Sequence, residues 1–302
     1  MGYVVDFDPA MFTIAGFSVY WYGFAYSFGF AFMVLWLWRK RALLGWSGAQ
    51  VVHVSLIFVV LVLACGRVFD VIVYEWPWYE THKEQIPQVW VGGMASHGLL
   101  AGSALAALVA SLWTRTPLLK ILDVLVVAAA FIFGVGRIGN FIEGGVIGTV
   151  TSMPWGVKLP DVEGFRHPVS LYDGAKNLLL VPVLVLSLKR WPPGQGAATA
   201  IFLAAYGGLR FLIDQFRDYE SSLGGIGPGQ WFNLAMALAG ILMFHLCVAR
   251  TPSAAPAVPK DDGRIPPVAA LVLLALILLP LTIPTSWTRE YIALKRSGAS
   301  FE

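Results

Sequence analysis

The sequence predicts an all-α membrane protein, a polytopic helical bundle with seven or eight transmembrane helices. Of its 302 residues, 57% are apolar and 13% are charged, whereas soluble domains carry about 25% charged residues. The apolar residues are gathered in runs close to the ~20 residues that a helix needs to cross a bilayer. Twelve tryptophans and ten tyrosines suit the two interfacial belts of such a protein. We therefore expect no large soluble domain.

Eight apolar runs approach the length of a membrane span. In chain order they cover residues 16–38, 49–68, 97–113, 121–135, 169–188, 197–213, 231–249 and 268–283. The third run is short and begins at a histidine. The fifth run is the least regular, because Asp173, Lys176 and Asn177 interrupt its start.

These runs divide the chain into three parts. Residues 1–250 hold the first seven runs and are predicted to form a seven-span membrane domain. Residues 251–267 are rich in proline and alanine and carry a charged cluster, which is typical of a flexible linker. Residues 268–302 are predicted to form an extra transmembrane helix and a tail.

Lysine and arginine occur in alternate loops between the runs. They stand at Arg39, Lys40 and Arg41, at Arg115 and Lys120, at Lys189 and Arg190, and at Arg250, Lys260 and Arg264. Because basic loops stay in the cytoplasm, this side and the linker are predicted to be cytoplasmic. The loops 70–96, 136–168 and 214–230 then face outward. Since these outer loops are long and rich in Gly, Pro and Trp, we expect the active site near the outer leaflet.

Composition argues against several other classes of protein. The net charge is +3 and no long basic block is present, so nucleic acid is not an expected partner. Cys65 and Cys247 both lie in apolar runs and are predicted to be small buried residues. We expect neither a disulfide framework nor a metal site or cofactor. No Gly-x-Ser-x-Gly or His-Glu-x-x-His motif indicates a hydrolase.

A basic residue follows the fourth apolar run, where the hydrophobic stretch meets a glycine-rich segment. Arg137 and Asn140 lie there, and a charge at such a depth is costly and is seldom kept without a task. Snorkelling to the interface explains many such arginines, but it does not explain the surrounding glycines, which permit close backbone approach. These are Gly136, Gly139, Gly144, Gly145 and Gly148. The segment predicts a pocket for an anionic headgroup at the bilayer surface.

A second arginine lies in the sixth run. Arg210 and Asp214 are four residues apart, a helical spacing at which they can pair, and Arg217 follows. One interpretation is a structural ion pair at the end of a span. The other is a second guanidinium group directed at a phosphate, where bidentate geometry is strong.

Histidines and tyrosines provide further candidates. His97 is either a hydrogen-bonded histidine at a helix start or a general base. Tyr22 and Tyr26 share one helix face and are either packing residues or hydroxyl donors to a phosphate. His167, which precedes a proline suited to a helix start, is predicted to be structural. Arg67 is predicted to make a structural pair with Asp70.

One stretch resembles a known family. Residues 136–142, Gly-Arg-Ile-Gly-Asn-Phe-Ile, are similar to the signature of prolipoprotein diacylglyceryl transferase. The resemblance covers most of the chain and its motifs occur in order. They are Trp21-Tyr22-Gly23, Gly92-Gly93-Met94, His97-Gly98, Arg166-His-Pro-x-x-Leu-Tyr172, Tyr206-Gly-x-x-Arg210 with Phe216-Arg217, and Gly227-x-Gly-Gln230.

The resemblance implies a reaction and its partners. Phosphatidylglycerol would give its diacylglyceryl group to the thiol of a lipobox cysteine in a prolipoprotein signal peptide. A thioether forms and glycerol phosphate leaves. The implied location is the bacterial inner membrane, among membrane lipids, with several spans and the active site toward the periplasmic leaflet.

The resemblance also implies roles for residues of this chain. Arg137 and Arg210 would bind and stabilise the phosphate, assisted by Tyr22, with His97 as the candidate base. The remaining substrate-binding candidates are Asn140, Gly148, Tyr26, Arg217, Gly98 and Glu143.

The sequence departs from the family pattern at several places. Glu143-Gly144-Gly145 stands where the family has Asn-Gly-Glu, Val91 stands where it has aspartate, and Leu99 where it has glycine. These departures leave an alternative open, a non-catalytic protein that binds phospholipids or lipoproteins. A transporter of an anionic solute is a third hypothesis, but the charges cluster toward one side of the membrane.

Overall fold

The computed structural model describes residues 2–5, 7–8, 10–14, 17–87, 94–144, 146–159, 162–218, 228–248 and 265–282. Helices dominate the described part. They are α1 (Trp21–Leu44), α2 (Gly48–Phe69), the one-turn α3 (Trp76–Tyr79), α4 (Ser96–Thr114), α5 (Leu118–Glu143), α6 (Val169–Arg190), α7 (Ala197–Ile213), α8 (Pro228–Val248) and α9 (Pro267–Leu278). A 3-10 turn, Leu279–Thr282, extends α9.

In the described part of the chain, six helical segments are long and apolar enough to cross a membrane. They are Trp21–Leu44, Gly48–Val73, Leu118–Ile142, Val169–Arg190, Ala197–Phe216 and Gly229–Leu246. Two shorter apolar segments, Gly98–Thr114 and Pro267–Thr282, correspond to the third and eighth runs of the sequence. The chain is therefore a multi-pass helical membrane protein. The predicted all-α class is confirmed, and the number of seven or eight transmembrane helices stays a prediction.

Short strands lie outside the helices and were not predicted. They are β1 (Tyr3–Val4), β2 (Ala10–Ile14), β3 (Phe17–Tyr20) and β4 (Val157–Lys158). β2 pairs antiparallel with β3, and β1 pairs parallel with β4. The first span thus begins at Trp21 and not at residue 16. The physical reason is that β-branched and aromatic residues at positions 17–20 satisfy their backbone by pairing with β2.

The chain divides into two compact units. One comprises Met1–Asp8 and Leu119–Ala254, and the other Pro9–Leu118 and Ala255–Glu302. We call them the α5–α8 unit and the α1–α4 unit.

Within the α5–α8 unit, α5 and α6 meet at a glycine. A Cβ atom on Gly174 would lie 3.2 Å from the carbonyl oxygen of Gly134 and 3.3 Å from Cβ of Arg137. Small residues let membrane helices approach closely in this way. The contact brings α6 against the part of α5 that carries Arg137.

A buried carboxylate fixes the start of α7 in the same unit. Oδ2 of Asp123 accepts hydrogen bonds from the backbone nitrogens of Gly194 and Gly196, at 2.9 and 2.8 Å. Its Oδ1 accepts from the backbone nitrogen and the hydroxyl of Thr199, at 3.0 and 2.8 Å. The carboxylate thereby satisfies backbone donors that a helix start leaves without partners.

Within the α1–α4 unit, Gly98 lies where α4 meets α2. A Cβ atom there would lie 2.3 Å from the carbonyl oxygen of Cys65. The eighth run also belongs to this unit, because a Cβ atom on Gly23 of α1 would lie 1.8 Å from the carbonyl oxygen of Pro280. Segment 267–282 therefore packs against α1.

The pair predicted between Arg67 and Asp70 stays a prediction, but Arg67 makes other structural contacts. Its guanidinium donates to the carbonyl oxygens of Gln85 and Ile86, at 2.8 and 3.0 Å. It also lies over the ring of Tyr79, 4.9 Å from the centroid. These contacts hold the loop after α2 against the end of that helix.

Candidate functional site

Arg137 lies two turns before the end of α5, with an 18% exposed side chain. Its Nε atom lies 2.6 Å from Oδ2 of Asp173. Its Nη1 atom donates to Oδ1 of Asn140, one turn later, at 3.1 Å. The two candidates that the sequence places in the Gly-Arg-x-Gly-Asn segment are thus in direct contact.

Asp173 is fully buried on α6 and contacts three cations. Its Oδ2 atom accepts from Nη1 of Arg210 as well as from Arg137. Its Oδ1 atom lies 3.1 Å from Nζ of Lys176, one helical turn further on. A charged group inside a membrane segment must be paired or hydrogen-bonded. This carboxylate pairs with one cation from each of α5, α6 and α7.

Arg210 is also anchored to its own helix end. Nη2 of Arg210 lies 3.0 Å from Oδ1 of Asp214, which confirms the pairing expected from their spacing. Oδ2 of Asp214 accepts from Nδ2 of Asn233 on α8 at 3.0 Å. The guanidinium group is thereby held between two carboxylates, and its direction is set by both.

We call Arg137, Asp173, Lys176, Arg210 and Asp214 the Asp173 cluster. When all five are ionised, three cations and two carboxylates leave a net charge of +1. Because four of the five side chains are nearly inaccessible to solvent, this excess charge is weakly screened. Arginine forks suit phosphate geometry. Among the residues that the structure describes, no three His, Cys, Asp or Glu side chains are grouped to hold a metal ion.

Gly148, in the loop after α5, and Arg217, in the segment after α7, form an isolated antiparallel bridge. The backbone nitrogen of Thr149 donates to the carbonyl oxygen of Phe216 at 2.8 Å, and that of Asp218 donates to Ile147 at 3.1 Å. A Cβ atom on Gly148 would lie 2.2 Å from the carbonyl oxygen of His167. Only glycine fits this close backbone approach.

An ion pair closes this bridge. Nη1 of Arg166 lies 2.9 Å from Oδ2 of Asp218 and donates to the carbonyl oxygen of Gly148 at 3.3 Å. His167 contacts the hydroxyl of Tyr172 through Nδ1 at 3.1 Å and packs against Phe216. These contacts support the structural role predicted for His167.

Tyr22, Tyr26, Gly98 and His97 belong to the α1–α4 unit. The hydroxyl of Tyr22 lies 3.4 Å from that of Tyr26, and their ring centroids are 4.8 Å apart. The shared helix face of this pair is confirmed. His97 lies in the first turn of α4, the helix-start position that the sequence indicated.

Other parts of the predicted motifs lie outside the described residues. They are Val91, Gly92, Gly93, Gly145 and Gly227, the linker 251–264 and the tail 283–302. Glu143 is the last residue of α5. Asp173 and Lys176 were not among the site residues predicted from the sequence, which treated them only as interruptions of a span. The sequence could have identified them as a cluster, because Asp173 lies three and four residues before Lys176 and Asn177. This spacing places polar groups on one helix face.

Comparisons with known proteins agree on one family. A family model described as prolipoprotein diacylglyceryl transferase matches residues 9–246. A relative from Methylobacillus flagellatus named phosphatidylglycerol–prolipoprotein diacylglyceryl transferase is 32% identical over 260 residues, covering 81% of this chain and 98% of the relative.

Two other relatives with the same name show similar identities and coverages. That from Cupriavidus pinatubonensis is 34% identical over 249 residues, covering 79% of this chain and 90% of its own. That from Aeromonas salmonicida is 35% identical over 244 residues, covering 78% and 88%. The match extends over both units and includes every residue of the Asp173 cluster, so the chain belongs to the prolipoprotein diacylglyceryl transferase family.

Proposed function

We propose that this chain transfers the diacylglyceryl group of phosphatidylglycerol to the thiol of a lipobox cysteine in a prolipoprotein. The relatives named above carry this activity in their names. The observation that carries the proposal is the contact of Arg137 and Arg210 with one buried carboxylate oxygen of Asp173. It holds two guanidinium groups close together in a site with excess positive charge.

The reaction needs this kind of charge. The cysteine sulfur attacks the carbon of the diacylglyceryl group that bears the phosphate. A C–S bond forms, and the C–O bond between that carbon and the phosphate breaks. Glycerol phosphate leaves with the electron pair of that bond, so its phosphate gains one negative charge. Preorganised guanidinium groups stabilise this developing charge more in the transition state than in the substrate.

The nucleophile has to lose its proton, because the thiolate attacks and the thiol does not. His97 is our proposed base, and Tyr22 and Tyr26 are proposed donors to the phosphate or the glycerol hydroxyls. Asn140 orients Arg137 through the hydrogen bond to Nη1. The loop after α5 that contains Gly148 and the segment after α7 that contains Arg217 are proposed to line the headgroup site. Gly98 and Glu143 remain proposed substrate contacts.

The proposed setting is the inner membrane of a bacterium, with the site toward the periplasmic leaflet. The distribution of lysine and arginine supports this orientation, since alternate loops carry them. Phosphatidylglycerol and the signal peptide of the prolipoprotein would both reach the site from the bilayer.

The test is transfer from radiolabelled phosphatidylglycerol to a lipobox peptide by the purified, full-length protein. A peptide with cysteine replaced by serine is the substrate control. Arg137→Ala and Arg210→Ala test the site, and Arg39→Ala, an exposed arginine at the end of α1, is the matched control.

We expect label on the cysteine peptide only, normal transfer by Arg39→Ala, and loss of transfer in both site variants. Transfer retained by either site variant would remove its proposed role. A wild-type protein that binds phosphatidylglycerol but labels no peptide would contradict the transferase and favour lipid binding without catalysis.

A further inference from the structure

Lys176 is a buried lysine inside a membrane helix, with only 6% of its surface exposed. Its Nζ atom lies 3.1 Å from Oδ1 of Asp173 and 3.1 Å from Oδ1 of Asn177. It also lies 3.5 Å from the carbonyl oxygen of Tyr206 and 3.7 Å from the centroid of that ring. A buried ammonium group at this depth is costly, so its retention points to a task.

The contacts of Lys176 indicate what this task is. An ammonium group has three N–H donors and no acceptor. Three oxygens, those of Asp173, Asn177 and Tyr206, lie within 3.5 Å of its nitrogen. The Tyr206 ring covers the group further. Lys176 is thus directed at protein atoms.

We propose that Lys176 is a positioning residue that balances the charge of Asp173 and holds its Oδ1 atom. In that arrangement Oδ2 of Asp173 contacts the guanidinium groups of Arg137 and Arg210 and orients both toward a bound phosphate. This inference rests on the proposed function, because it assigns Lys176 to the same phosphate site.

The charges of the Asp173 cluster give the physical reason. With Lys176 the five side chains carry a net charge of +1, which matches the single negative charge of a phosphodiester. Without it, two arginines and two carboxylates are neutral together. A phosphodiester would then add an unbalanced negative charge to a poorly solvated site, which is unfavourable.

The geometry gives a second reason. Both arginines contact Oδ2 of Asp173, and a carboxylate held at only one oxygen can rotate. Lys176 holds the other oxygen from the next turn of the same helix. Removing it lets Asp173 turn toward either arginine and engage it more fully, at the expense of the phosphate.

The experiment compares Lys176→Met, which has a similar shape without the charge, with Lys176→Arg, which keeps the charge. Asp173→Asn combined with Lys176→Met removes one charge of each sign and restores the net charge of +1. Lys189→Met changes an exposed lysine of the same helix and is the matched control. Full-length proteins in detergent are assayed for direct binding of glycerophosphoglycerol, a soluble phosphodiester with one negative charge. The KM and kcat of transfer and the thermal unfolding are measured as well.

We expect Lys176→Met to weaken glycerophosphoglycerol binding and raise KM by about tenfold or more, with a smaller fall in kcat. Lys189→Met should stay within about threefold of the wild type. Lys176→Arg keeps the charge and should bind better than Lys176→Met. The double variant should recover binding but not kcat, because Asp173 no longer aligns the arginines.

Each outcome separates the two proposals. Unchanged glycerophosphoglycerol binding in Lys176→Met overturns the positioning role, even if the variant unfolds at a lower temperature. A double variant that binds no better than Lys176→Met overturns the charge argument. If wild-type protein transfers nothing, the transferase proposal fails, while the binding series still decides whether Lys176 sets the affinity for phosphate.

Discussion

Arg137 and Arg210 come from different helices and contact the same atom, Oδ2 of Asp173. Two guanidinium groups repel one another, and in a poorly solvated site that repulsion is large. The shared oxygen offsets it and keeps the two groups adjacent before any substrate arrives. A phosphate that enters this site meets donors whose positions are already determined, which is the condition for stabilising a developing charge.

The two arginines are predicted not to be replaceable by lysine. Arg137 contacts Asp173 through Nε and Asn140 through Nη1, and a single ammonium nitrogen cannot reproduce that fork. Arg137→Lys and Arg210→Lys should each lower kcat/KM for transfer by about 100-fold or more. Arg190→Lys, at the exposed end of α6, should be unchanged. Near-normal rates in either site variant would count against bidentate recognition.

Asp173→Asn tests alignment separately from affinity. The neutral amide leaves three cations with one carboxylate, so phosphate binding should persist while the arginines lose their common anchor. We expect kcat to fall by about 100-fold and the free energy of unfolding to fall by about 3 kcal/mol. Steady-state kinetics and thermal unfolding in detergent measure these effects. A raised KM with unchanged kcat would mean that Asp173 does not align the site.

Gly148→Ala tests the headgroup role proposed for the loop after α5. The added methyl group would lie 2.2 Å from the carbonyl oxygen of His167, so the backbone bridge between Gly148 and Arg217 must shift. We expect kcat/KM to fall by about 100-fold. Gly208→Ala is the matched control, because a Cβ atom there meets nothing within 4 Å and alanine favours a helix. Equal activity in the two variants would argue that the loop does not line the site.

Asp123→Asn is predicted to affect stability and not chemistry. Four donors converge on this carboxylate, and an amide directs its NH₂ group at donors that need an acceptor. The loss should be about 2 to 4 kcal/mol, observed as a lower unfolding midpoint with normal KM. Glu163→Gln, an exposed acid in the loop before α6, is the control. An unfolding midpoint of Asp123→Asn equal to that of the wild type would show that the hydrogen bonds to α7 are dispensable.

Several features of the site could be predicted from local sequence. Arg137 and Asn140 were recognisable because a charge and an amide follow an apolar run and are flanked by glycines. The pairing of Arg210 with Asp214 followed from helical periodicity, and it is present at 3.0 Å. The predicted start of the first span was wrong, because residues 17–20 pair as a strand with β2 and do not join the helix. The apolar content of these residues does not reveal this pairing.

By itself the sequence determined the membrane class, the approximate spans and the two arginines, because these depend on the length of apolar runs and on charges placed within them. The tertiary structure alone decided that Asp173 joins both arginines and that Lys176 balances it. Those contacts join residues from α5, α6 and α7. Local spacing relates only residues of one helix, whereas the close approach of α5 and α6 at Gly174 sets which charges meet.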